Sequence, residues 1–169
     1  MRKILPLLAL CSALFVLAAC DKSDEQAQQA TAEQAPAVLP APTDPNDKDA
    51  WKKYLVSVVT ANMQGVKSNH PYMYYVPAGQ DDAAVADRGN QLENVRNVAL
   101  RGVLPGNMMA FGGPDSAITA QLIVDAFTDV QAGAFKDVVI LFIGAPADAE
   151  TVKQALASSG AEVRFVEAK

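Results

Sequence analysis

The chain has 169 residues, of which half are hydrophobic and 20% charged, with a formal net charge of −5. That acidic balance, without a cluster of Lys and Arg, excludes electrostatic nucleic-acid binding, which depends on basic side chains neutralising phosphates. Two cysteines and one histidine leave few soft ligands or nucleophiles to build a site from.

The first element lies at the N-terminus. Arg2 and Lys3 precede an almost wholly apolar run from Ile4 to Ala19, broken only by Pro6 and Ser12. The run suits a secretory signal and falls short of the roughly 20 apolar residues a membrane-crossing helix needs. It closes on Leu17-Ala18-Ala19-Cys20, and the sequence turns polar immediately afterwards. This segment resembles the lipobox signal peptide of bacterial lipoproteins, a resemblance confined to residues 1–20.

The resemblance implies a diacylglyceryl group on the Cys20 sulfur, cleavage before Cys20, and acylation of the new amino terminus. Two or three acyl chains, at about 0.8 kcal/mol per buried CH₂, would make a durable anchor. Asp21, Lys22 and Ser23 resemble sorting signals that keep such proteins in the inner membrane. The expected location is therefore the periplasmic face of that membrane, with the outer membrane as the alternative. Processing would remove Arg2 and Lys3 from the 14 basic side chains and leave 12 against 19 acidic ones. Anionic headgroups should not attract so acidic a domain, which leaves acylated Cys20 as the contact with the bilayer. Cys11 would leave with the signal, so no free thiol remains for a disulfide or a metal.

Residues 20–45 comprise the modified cysteine and an expected tether. The segment is rich in Ala, Gln, Asp, Glu and Pro, with Val38 and Leu39 its only large apolar residues. Such a composition buries too little surface to offset its ordering entropy and predicts a disordered spacer, with an average reach of about 25–30 Å.

Residues 46–169 are expected to form a single α/β domain. A helix starting at Asp44-Pro45 carries Trp51, Tyr54, Leu55, Val58, Val59 and Met63 at helical spacing until Gly65. A strand follows at Tyr72–Val76, then a helix from Asp81 to Arg101, with Gly102 as its stop. The sequence next predicts a strand at Met108–Phe111 and an amphipathic helix from Pro114 to about Gln131. Val138–Ile143 has no polar residue, as a central strand covered on both faces requires. A helix at Ala147–Ser159 precedes a last strand, Ala161–Glu167, whose Glu162, Arg164 and Glu167 suit a sheet edge. The order α-β-α-β-α-β-α-β predicts a mainly parallel four-stranded sheet flanked by helices, with strand order open.

The three strand-to-helix loops share a chemistry. Val76–Asp82, Phe111–Ser116 and Ile143–Asp148 each couple Gly and Pro to an Asp at a helix start. Capping explains Asp81, Asp115 and Asp148 by itself. The functional reading is a pocket in which Gly112 and Gly113 admit a ligand beside Asp115 and Ser116, at a switch in strand order. The same acids together with Asp82 could face a hard cation, but no phosphate-cradle or dinucleotide motif is present. The sequence therefore implies neither cofactor nor metal. His70, beside Ser68, lacks a nucleophile-elbow pattern and a matched acid, so no catalytic residue is assigned.

Tyr72, Tyr74 and Tyr75 either cover the core, if their strand lies inside the sheet, or offer a partner-binding surface at Tyr72 and Tyr74, if it lies at an edge. The combined expectation is a non-enzymatic, membrane-anchored envelope protein that binds a protein partner or supports an assembly. The alternative is a ligand-binding or hydrolytic domain using the Gly-Pro-Asp loops.

Overall fold

The structure, a computed structural model, describes residues 37–169. The signal segment, Cys20, Asp21, Lys22 and Ser23 lie outside the described residues. All eight predicted elements are present: α1 (Lys48–Ala61), β1 (Tyr72–Tyr75), α2 (Asp82–Arg101), β2 (Met108–Gly112), α3 (Ser116–Phe127), β3 (Val139–Gly144), α4 (Pro146–Leu156) and β4 (Glu162–Glu167).

The sheet is wholly parallel, in the order β1-β2-β3-β4. Each crossover therefore steps in the same direction, and crossovers of one hand place their helices on one face. The packing agrees. Val95 and Ala99 of α2, Ile123 and Phe127 of α3, and Val152 and Leu156 of α4 share a core with Tyr74, Phe111, Ile140 and Phe142 of the strands. The opposite face is covered by α1, whose Trp51, Tyr54, Leu55, Val58 and Val59 pack on Met108, Ala110, Val139, Leu141 and Ile143. β2 and β3 are buried throughout, as their polar-free sequences require. β4 is an edge, and β1 is the other.

α1 begins later than its sequence signal. Asp44 and Pro45 form a turn in which the Asp44 carboxylate accepts the Asn46 N–H at 2.8 Å. Asp47 is the cap instead, accepting the Ala50 N–H at 2.9 Å. It is the acid placed three residues before a free amide of the first turn.

The end of the expected tether is also fastened down. The Leu39 N–H donates to Ser57 Oγ (3.0 Å) and the Trp51 indole donates to the Asp44 carbonyl (3.1 Å). The Ala41 N–H donates to the Lys169 carbonyl, and Ala41 packs on the α1 side of the core. Composition alone understates this ordering, because α1 and the C-terminal strand supply partners that the local sequence lacks. No helix among the described residues is long and apolar enough to cross a membrane.

Candidate functional site

Of the three loops expected to form a pocket, the second and third close upon each other, while Pro77, Ala78, Gly79 and Asp81 of the first line a small groove of about 170 Å³ beside Pro45 and Asn46. Asp81 and Asp115 cap α2 and α3, accepting the Ala84 and Ile118 amides at 3.0 and 2.9 Å. Asp148 lies in the first turn of α4, behind Ala145 and Pro146. Ser116 Oγ accepts the Ala145 N–H at 2.6 Å and so ties the second loop to the third.

Gly112 and Gly113 are buried, and their space is occupied by the protein itself. A Cβ on Gly113 would lie 2.0 Å from the Val76 carbonyl oxygen, and one on Gly112 would lie 2.5 Å from Leu55 Cδ2. The close approach that glycine permits here is between neighbouring chain segments. The strand order, lacking a reversal, also provides no switch-point crevice of the kind that holds ligands in doubly wound sheets. The four acids are thus caps and first-turn residues. No group of three or more His, Cys, Asp or Glu suited to a metal ion occurs among the described residues. Ser68 Oγ meets only the backbone of His70 (3.2 Å from its N–H), so the two side chains form no catalytic pair.

The more open feature lies at the free edge of β1. A groove of about 350 Å³ runs between α1, β1 and α2, lined by Lys48, Lys52, Met73, Tyr75, Pro77, Asp87 and Gln91. Its floor is fixed by strand register. The Val76 N–H donates to the Gly112 carbonyl, so the backbone groups of Tyr74 and Val76 point to β2. Alternation then points those of Met73 and Tyr75 out of the sheet. The Gln91 side-chain amide covers part of this edge by donating to the Tyr75 carbonyl at 2.8 Å. Lys48 and Asp87 meet across the groove at 3.7 Å, both more than half exposed. Such a pair is worth little energy and is easily opened.

Tyr72 and Tyr74, expected to act together, share one face of β1 but differ in burial, and the pleat turns Met73 and Tyr75 to the other face. Tyr72 is 42% exposed beside Met73 at 37%, whereas Tyr74 is 8% exposed and stacks on Phe111. Burial, with a smaller contribution from Tyr72, pushes the Tyr74 hydroxyl up to about 12. Burial also raises Tyr75. Tyr74 therefore belongs to the core, Tyr72 is exposed at the strand start on the same face, and Met73 and Tyr75 line the groove on the opposite face. Sequence reasoning missed Gln91, Lys48 and Asp87, because grouping them with the strand requires knowing that β1 is an edge.

No family model, curated protein or solved structure matches this chain.

Proposed function

We propose that this chain is a lipid-anchored protein of the bacterial envelope whose folded domain binds an extended segment of a partner protein at the β1 edge. The anchor rests on the Leu17-Ala18-Ala19-Cys20 motif and its apolar run. The single observation that carries the binding role is the unpaired outward backbone of Met73, flanked by the exposed Tyr72 side chain and a groove that Gln91 covers only in part. An added strand gains main-chain hydrogen bonds at such an edge, while side-chain pockets beside it give selectivity. Aromatic and Met side chains suit the centre of a protein interface.

The anchor is tested by palmitate labelling. Cys20→Ala should abolish incorporation, and continued labelling refutes lipidation at that residue. The binding role is tested with a photo-crosslinking residue at position 72 in intact cells. A discrete adduct is expected, and Met73→Pro should remove it, because proline deletes the outward N–H while remaining tolerable on an edge strand. Failure to form an adduct, or an adduct indifferent to Met73→Pro, rejects strand addition.

A further inference from the structure

We infer that the outward face of α1 is a docking surface for an anionic phospholipid bilayer, so that the anchored domain lies against the membrane through this helix. The inference rests on the lipid-anchor reading above and adds an orientation to it.

Leu39, Val56 and Ser57, with the aliphatic stems of Lys52 and Lys53, line a shallow apolar depression on the side of α1 turned away from the sheet. Leu39 and Val56 are 48% and 50% exposed. Long lysine stems can lie along an apolar surface while their ammonium groups reach outward, the arrangement that suits a headgroup interface. Lys48 meets Asp87 across the groove, and Asp47 and Asp49 lie at the helix start, so the charge beside the depression comes from Lys52 and Lys53. Lys52 and Lys53 are thus a local pair of positive charges on an acidic protein, and anionic headgroups attract such lysines only at close range. The overall acidity, which argues against attraction at a distance, does not decide the contact once the domain is tethered.

The course of the chain identifies the occupant. The Leu39 N–H bonds Ser57 at the middle of α1, so the residues that lead back to Cys20 join the domain at this depression. Sixteen residues, 21–36, separate Cys20 from the described structure. Even when fully extended, they span at most about 55 Å. The depression is therefore held within reach of the anchoring bilayer, at an effective concentration high enough for a weak surface affinity to suffice.

The mature, lipidated chain carrying Val56→Cys supplies the test, because Cys11 leaves with the signal and the Cys20 sulfur is acylated. Labelled with a polarity-sensitive dye, the protein is reconstituted in vesicles containing phosphatidylglycerol or in pure phosphatidylcholine. The expected result is a blue shift in the anionic vesicles only, with a dye at Thr151→Cys on α4 remaining in water. Lys52→Gln with Lys53→Gln should lower the ratio of docked to free domain about 25-fold, on the order of fivefold per lysine. Docking is overturned if intact mass shows acylated Cys20 while the position-56 dye stays in water, if phosphatidylcholine gives an equal shift, or if the lysine variant leaves the shift unchanged. An intact mass without acyl chains overturns the anchor itself, and the docking face falls with it.

Discussion

The ring of Tyr74 lies flat on that of Phe111, with centroids 4.9 Å apart and planes 14° from parallel. The two residues are direct register partners on β1 and β2. The stack therefore fastens the edge strand to the sheet from the face covered by α2, α3 and α4. Tyr74→Ala should cost about 3–5 kcal/mol, the range for emptying a buried aromatic site, as read from denaturant midpoints.

Stability should also fall at alkaline pH. The unfolded chain releases a tyrosine proton near pH 10, whereas folded Tyr74 holds its proton up to about 12. Its contribution is intact below pH 10 and is lost as pH rises through 12, because the unfolded state then binds fewer protons. Tyr54 and Tyr75 are raised in the same direction by burial. Tyr74→Phe should therefore flatten the decline without abolishing it. An unchanged pH dependence in Tyr74→Phe, measured by denaturation at several pH values, would count against this assignment.

Three glycines should respond differently to alanine. Gly113→Ala forces a Cβ to within 2.0 Å of the Val76 carbonyl and must separate β1 from β2, so most of the folding stability should be lost. Gly112→Ala meets the movable end of Leu55 at 2.5 Å and should cost less. Gly89, inside α2, has open space where a Cβ would go. Gly89→Ala should raise stability by about 0.5–1 kcal/mol through helix propensity. Thermal melts of the three variants check the order.

Asp115→Ala should cost about 1 kcal/mol, as expected of a lost helix cap, and Ser116→Ala should cost a similar amount by leaving the Ala145 N–H without its acceptor. Neither change should affect crosslinking at position 72. Loss of the adduct in a folded Asp115→Ala protein would restore the loops as a functional site.

Sorting is separable from folding. Membrane fractionation should find the mature protein with the inner membrane. Substitution of Asp21, Lys22 and Ser23 should redirect it without altering the melting temperature of the domain, since these residues precede the described fold. Exclusive recovery from the outer membrane before any substitution would refute the reading of that triplet.

The succession of elements was legible in the sequence because each helix keeps its apolar face at helical spacing and each break has a local cause. Asp81 before α2 and Gly102 after it are examples, and β3 announces its central place by lacking any polar residue. The arrangement of the strands was not legible. Nothing in Tyr72–Tyr75 distinguishes an edge strand from an internal one, because its side chains alternate between a helix-covered face and a groove. The same ambiguity hid the groove, whose Lys48, Met73 and Gln91 come from three elements. Glycines that permit a close approach look alike in sequence whether the approaching group is a ligand or, as at Gly113, the neighbouring strand.

The hydrogen bond from the Ala41 N–H to the Lys169 carbonyl gives the domain a mechanical polarity. Its two ends leave from one place, and the loops tied by Ser116 carry neither of them. A reporter fused after Lys169 would stand beside the point where the leading segment joins, rather than at the far side of the protein. Tension applied between that segment and Lys169 would load the Leu39–Ser57 bond and then the Ala41–Lys169 pin, before it reached the parallel strands.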